Sequence, residues 1–323
     1  MNTRHLLLAA CALALPGPAA AQAPAPVYPV KTVRMVVGFP PGGPTDVLAR
    51  IVAQKLGEAW NQQVIVDNRA GASGMIGAEL VARAAPDGYT LLMVPVTFAV
   101  TPSLFSKMNY DSERDFAAVA QVAAAPFILV VHPTLPVKTV KDLVALTRAR
   151  PGQLNYASAS TGGMPHLAGE LFNLMAGVKM VHVPYKGAAP ATTDLLAGQV
   201  QLMFNNMLSA MPQVKAGRLR AVAVTSPRRS HALPELPSIA ETLPGYEASG
   251  WYGLLAPAAT PREAVNRING ETNRIMKLPD VAQRLSGDGV EAVGTSPEQF
   301  AAYLRAEIAK WGKIVKTAGI KAD

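Results

Sequence analysis

Cysteine is nearly absent: Cys11 stands alone in 323 residues. It falls in an N-terminal leader, so once that segment is removed the chain offers no disulfide and no thiol chemistry. Aromatic residues supply 6% of the chain and charged ones 16%. The basic residues are scattered, with Arg228-Arg229 their longest pair, and the clustered Lys/Arg with stacking aromatics of a nucleic-acid groove is missing. H-E-x-x-H, G-x-S-x-G, G-x-x-x-x-G-K-[ST] and G-x-G-x-x-G are missing too. His132, His166, His182 and His231 show no ligand spacing, so neither a metal nor a cofactor is expected. A Ser158–His166 couple is conceivable, but no third group completes it, and an enzyme is not expected. Beyond the leader no apolar run is long enough to cross a membrane, which predicts a soluble product.

The leader itself is informative. Arg4 and His5 precede an apolar segment from Leu6 to Leu15, then small residues ending Ala19-Ala20-Ala21. Residues 1–21 therefore read as a secretory signal peptide, with a cut after Ala23 as the alternative. Leu8-Ala9-Ala10-Cys11 has the look of a lipoprotein cleavage box, yet it would leave only Leu6 to Ala10 as the apolar core. That is short of the roughly 7–15 residues such cores need. A bacterial-type signal makes the periplasm the expected address. Losing Arg4 leaves 29 basic residues against 22 acidic, a net +7 that mildly favours anionic small molecules.

What is present is strand–helix alternation. Val33 to Phe39 is a short β-branched run, and Val47 to Trp60 is helical, with Leu48, Ile51, Val52, Leu56 and Trp60 on one face. Between them lies Pro40-Pro41-Gly42-Gly43-Pro44-Thr45-Asp46, with Thr45 or Asp46 placed to cap the helix. A glycine-rich turn at a helix start aims several backbone N–H groups at one place, which suits an anion. A carboxylate or a phosphate would fit; without a nucleotide motif the carboxylate is favoured. Val64 to Val66, a helix marked by Ile76, Leu80, Val81 and Ala84, and Thr90 to Val94 complete a β-α-β-α-β series, implying a parallel sheet. Its ligand edge carries 39–45, 68–74 and 95–101, including Thr97.

A second series has strands at 127–131, 154–157, 180–183, 202–204 and 219–224. Thr139 with Asp142 reads as the cap of its first helix. The turn from Ser158 to His166 repeats the design of the first turn ahead of a helix with Leu167, Leu171, Leu174 and Met175. One such turn per lobe could hold a ligand from both sides. Trp251 to Ala256 reads as a strand returning from the second lobe to the first, expected beside Phe127 to Val131, so that two crossings form a hinge. Thr260-Pro261-Arg262-Glu263 and Ser296-Pro297-Glu298-Gln299 read as helix starts.

The residues then become recognisable. F-P-P-G-G-P-T-D-V-L-A-R from Phe39, V-D-N-R-A-G-A-S-G-M-I-G-A from Val66, A-P-D-G-Y-T-L-L from Ala85, H-L-A-G-E-L-F from His166, V-H-V-P-Y-K-G from Val181, D-L-L-A-G-Q-V from Asp194 and W-Y-G-L-L-A-P from Trp251 stand in order along the chain. Together they resemble the substrate-binding component of tripartite tricarboxylate transporters, the Bug-type solute receptors. The resemblance implies an α/β, two-lobed type II periplasmic-binding-protein fold: two Rossmann-like domains joined by a two-strand hinge. Lobe 1 would comprise 27–125 plus 248–323, and lobe 2 would comprise 126–247. It also implies a monomer that captures a small carboxylate and delivers it to membrane permease subunits, with no nucleic acid involved. A sensory receptor for the same ligand is the alternative.

Carried onto this sequence, the first loop (Phe39, Pro41, Gly42, Gly43, Thr45) matches the family fully. The second, with Ser158, Ser160, Thr161, Gly162 and His166, matches in part. The family's usual S-A-G-N-G-T-S-S-H becomes S-A-S-T-G-G-M-P-H, losing hydroxyls just before the histidine. Asn205-Asn206 stands where M-F-D-N is common, which removes a carboxylate that could meet a ligand ammonium. A plain or aromatic acid is therefore expected over an acidic amino acid. Tyr185, just past a strand, is a further cleft candidate. His182 and Trp251 have packing roles as their simplest explanation, and Asp46, whose charge would oppose a carboxylate, reads as a cap.

Overall fold

A computed structural model describes residues 28–185, 188–230, 233–287 and 289–321. The leader at 1–21, His231 and Lys186-Gly187 lie outside the described residues. The chain runs β1 (Val33–Val37), α1 (Pro44–Trp60), β2 (Val64–Asn68), α2 (Met75–Ala82), β3 (Thr90–Pro95), α3 (Thr97–Leu104) and β4 (Phe116–Ala125). It continues through β5 (Phe127–Val131), α4 (Val140–Ala149), β6 (Asn155–Ser158), α5 (Met164–Ala176), β7 (Val181–Pro184), α6 (Ala188–Leu196), β8 (Leu202–Asn206), α7 (Met207–Lys215) and β9 (Arg220–Val224). Last come β10 (Gly250–Pro257), α8 (Arg262–Met276), α9 (Pro279–Gly287), β11 (Glu291–Ala292) and α10 (Pro297–Ala318).

Two sheets result, ordered β11-β4-β10-β3-β1-β2 and β7-β6-β8-β5-β9. Within them β2-β1-β3 and β7-β6-β8 are all-parallel and have the same order relative to the chain. In each, the chain leaves the central strand (β1 or β6), adds a strand on one side, then crosses to the other side. The loops after β1 and β6 therefore sit at switch points, where the connections diverge and leave a crevice.

Strand alternation sorts the side chains into layers. Met35 and Val37 pack with Leu48, Leu56 and Ile268 on one face of the first sheet, while Val36 and Leu92 face the opposite way. Ile128 and Val130 pack with Ala191 and Met203; Leu129 and Val131 face the other side. Those other sides form one apolar cluster, joining Leu92, Trp251 and Trp311 to Leu129, Phe172 and Phe204. The lobes thus share a core at their junction.

Trp251 to Ala256 forms a strand, but not beside Phe127 to Val131. β10 pairs with β3 and, from Gly250↔Ala125 to Pro257↔Phe116, with β4. The pairing stops at Pro126, which has no N–H to donate, and Phe127 gives its own N–H to Thr225 Oγ1 at 2.8 Å. β4 itself, F-A-A-V-A-Q-V-A-A-A, escapes sequence reading because alanine is a poor strand former. Here its small side chains let α8 and α10 pack against the sheet. Ser296 caps α10 and Thr139 caps α4, each through a complete capping box. Thr260 does not cap α8: Pro261 takes the cap position, and the Thr260 hydroxyl is buried without a partner.

The buried Glu307 of α10 accepts hydrogen bonds from both Trp251 Nε1 and Trp311 Nε1 at 2.8 Å, and pairs with Lys310. It fastens the last helix to the crossing strand. Glu307→Ala would leave the two buried indole N–H groups without their acceptor, so it is expected to cost about 2–4 kcal/mol. Urea denaturation measures this; Glu298→Ala, which removes an exposed partner of Arg262, should leave the midpoint unchanged.

Candidate ligand-binding site

The loops at the two switch points share a sequence frame, G-G-x-x-[DH], and share a backbone. Gly42 has φ +81° and Gly162 φ +73°, the left-handed region that favours glycine. Gly43 and Gly163 follow as helix N-caps, with φ/ψ of −76°/166° and −73°/161°. Gly43 O accepts from Val47 N at 2.9 Å and Gly163 O from Leu167 N at 3.0 Å. The first-turn amides have no intrahelical acceptor and lie at the positive end of the helix dipole.

Each loop is held by the side chain four residues after its left-handed glycine. Gly42 N donates to Asp46 Oδ2 at 2.8 Å, and Gly162 N donates to His166 Nδ1 at 3.0 Å. Neither Thr45 nor Asp46 is the N-cap that the sequence suggested, because Pro44 begins the helix and Gly43 precedes it. Asp46 closes back on the loop instead. Its carboxylate also meets Arg50 and Asn68, and Asn68 Nδ2 donates on to Phe39 O at 3.0 Å. Burial alone would raise the Asp46 pKa, but the bonds from Arg50, Gly42 and Asn68 outweigh it and hold the carboxyl below its ordinary range.

The second loop rests on a stacked pair of imidazoles. The rings of His166 and His182 lie 3.6 Å apart at 7°. His182 Nε2 is 2.6 Å from Ser158 Oγ, which donates to Ser160 O at 2.8 Å. Burial, with the His182 ring adding to it, pushes the His166 pKa down to about 3, and burial pushes that of His182 down to about 4. Both rings are neutral at physiological pH, so His166 Nδ1 is free to accept.

Between the lobes lies a cavity of 360 Å³. Of the residues singled out from sequence, Phe39, Thr97, Ser160, Thr161 and Gly162 line it. An added Cβ on Gly162 would fall 3.0 Å from the Leu104 side chain, so the second-lobe loop directly abuts α3. Thr97 begins α3, and its hydroxyl is buried without a partner among the described residues. Pro41, Gly42, Gly43 and Thr45 belong to the first-lobe loop and helix start behind Phe39. Ser158 and His166 are buried beneath the second loop, as described. Tyr185 donates its hydroxyl to Asp194 at 2.7 Å and packs in the outer core of the second lobe. Asn205 is buried, donating to Thr192 Oγ1 at 3.3 Å, with Oδ1 unpartnered. Asn206 caps α7.

Leu104 and Lys321, which sequence reasoning passed over, also line the cavity, as does Ser73 from the 68–74 stretch expected at the ligand edge. A signal existed for Ser73. It sits at φ +56° in a glycine-flanked turn, brought against the first loop because Gly38 and Gly74 are so close that a Cβ on Gly38 would meet Gly74 Cα at 2.8 Å.

A two-lobed α/β molecule with an equivalent glycine–glycine helix start in each lobe and a cavity between the lobes has the architecture of a solute-binding protein. Residues 48–320 match the family described as the tripartite tricarboxylate transporter family receptor. The chain is also 40% identical over 322 residues to a protein encoded in the tcbD-tcbE intergenic region of a Pseudomonas species, covering 99% of this chain and 96% of the relative. BugT of Bordetella pertussis is 36% identical over 305 residues, 94% of each chain. Among solved structures, R. palustris Rpa4515 with adipate has 40% identity and a TM-score of 0.75, over 91% of this chain and 99% of that one. MatC from Rhodopseudomonas palustris with bound malate has 31% identity and a TM-score of 0.70, over 89% and 100%. The chain therefore belongs to the tripartite tricarboxylate transporter family receptors, and it is a solute receptor, not an enzyme. No helix among the described residues is long and apolar enough to cross a membrane.

Two outcomes follow from the loop geometry. Asp46→Ala and His166→Ala each leave a loop amide without its acceptor and should weaken acid binding by about tenfold in calorimetry. Asp46→Asn and His166→Gln retain an acceptor and should recover most of it. The depressed imidazole pKa values also set a pH dependence. Between the ordinary value of 6.5 and the folded values of about 4 and about 3, the unfolded chain binds more protons than the folded one. This contribution is fully present above pH 6.5 and is lost as pH falls, so the melting temperature should drop across that window. A His182→Gln variant should show a shallower slope.

Proposed function

We propose that this chain captures a small carboxylate, a di- or tricarboxylic or an aromatic acid, between its lobes. It then delivers the acid to the membrane permease subunits of a tripartite tricarboxylate-type transporter. The observation that carries this reading is an interlobe cavity lined by the second-lobe glycine–glycine helix start and by Phe39 of the first-lobe loop, whose own glycine–glycine helix start has the same backbone. Backbone amides at helix N-termini suit a carboxylate without the cost of burying a full counter-charge. Adipate and malate, held by two relatives, are acids of this class. The cavity falls within the about 300–1,000 Å³ common for small-molecule sites.

Residues 1–21 would direct the chain to the periplasm. The lobes would comprise 27–125 with 248–323, and 126–247, in a monomer. Asn205 offers no carboxylate to an amino group, so a plain acid is favoured over aspartate or glutamate. Calorimetry with succinate, adipate, citrate, benzoate, aspartate and glutamate tests the reading. A plain acid should bind best. If aspartate or glutamate binds best, the ligand class is wrong; if no acid binds, the carboxylate reading falls.

A further inference from the structure

Among the described residues lining the interlobe cavity, Lys321 is the one that carries a charge. The rest of the wall combines the apolar Val100, Leu104 and Phe105 with hydroxyls at Ser73, Thr97, Thr101, Ser160 and Thr161. Lys321 makes no ion pair with any described carboxylate. Its position is built into the end of the last helix. Gly319 takes the left-handed conformation, φ +64°, as the C-cap of α10, and Ile320 N donates back to Val315 O at 3.0 Å. Ile320 is buried in the core shared by the lobes. With Ile320 turned into the core, Lys321 is left exposed at the cavity wall.

We infer that Lys321 is a specificity-determining residue that recognises a second anionic group on the ligand. This rests on the carboxylate reading above and deepens it. The helix-start loops select for one carboxylate, and the one cation among the described wall residues selects for molecules that carry another. Because Lys321 is exposed, its contribution is partly screened and falls with salt. The C-terminal segment, distant in sequence from both loops, thereby becomes part of the binding site.

Binding of adipate and of hexanoate, a diacid and a monoacid of equal chain length, is measured by calorimetry on the mature chain with Lys321→Gln and Lys321→Arg. Lys321→Gln should weaken adipate by about fivefold, the size of a partly screened ion pair. It should leave hexanoate unchanged and flatten the salt dependence of adipate binding, and Lys321→Arg should retain affinity for the diacid. Equal weakening of both acids, or of neither, overturns the assignment while the carboxylate reading stands. Failure of the unmodified protein to bind either acid overturns the assignment, and the carboxylate reading falls with it only where the whole acid panel above also fails to bind. Since Lys321 is exposed, matching melting temperatures are expected for all three proteins.

Discussion

Recognition by backbone amides depends on the loop being rigid before the ligand arrives. A glycine-rich turn has more conformational freedom to lose than any other segment, and ordering it at the moment of binding would subtract from affinity. Both loops meet this constraint by tying the left-handed glycine to an acceptor one helical turn onward. The tie uses up one amide that could otherwise face the ligand, Gly42 N in one lobe and Gly162 N in the other. Pro44 and Pro165 each remove another donor near the helix start. The donors left are few, but their direction is fixed.

The same task is done with opposite electrostatics. Asp46 places a formal negative charge under the turn we propose binds an anion, and the charge is offset by Arg50 at 2.9 Å and by the Asn68 amide. His166 does the job as a neutral ring, kept neutral by burial against His182. The first lobe therefore needs its Arg50–Asp46–Asn68 cluster intact, and Asn68 extends that cluster to Phe39 O at the cavity edge. The second lobe needs only that water and protons stay out of the imidazole stack.

Much of the architecture is legible in the chain because period-2 apolar runs and Pro/Gly turns act locally. Val33 to Trp60 declares strand, turn and helix through short-range chemistry alone, and so does the Thr139–Asp142 box. β4 is not legible, because Phe116 to Ala125 becomes a strand only through neighbours that prefer alanine. The partner of β10 is not legible either, since it turns on one missing N–H at Pro126. For the site, the turns stand out as glycine-rich, but the spacing from Gly42 to Asp46 and from Gly162 to His166 looks like helix capping until the backbone shows where the amide points. Leu104 and Lys321 reach the cavity through tertiary packing, to which sequence patterns are blind.

Closure is constrained by the shared core. Leu92, Trp251 and Trp311 belong to the same cluster as Leu129 and Phe204, and Glu307 binds α10 to β10 across it. The lobes cannot separate at that cluster without exposing buried tryptophans. The chain crosses between the sheets at Pro126 and again between β9 and β10. There, Phe127 and Ala248 converge on Thr225: its hydroxyl accepts from Phe127 N and its carbonyl from Ala248 N. Thr225 is buried and bonded on both sides, so it ties the two crossings together. That tie on one side, and the loop after β6 abutting α3 on the other, bound the interlobe gap. Ligand contacts made from both sides would then favour the closed form by as much as they exceed the contacts made to one lobe alone.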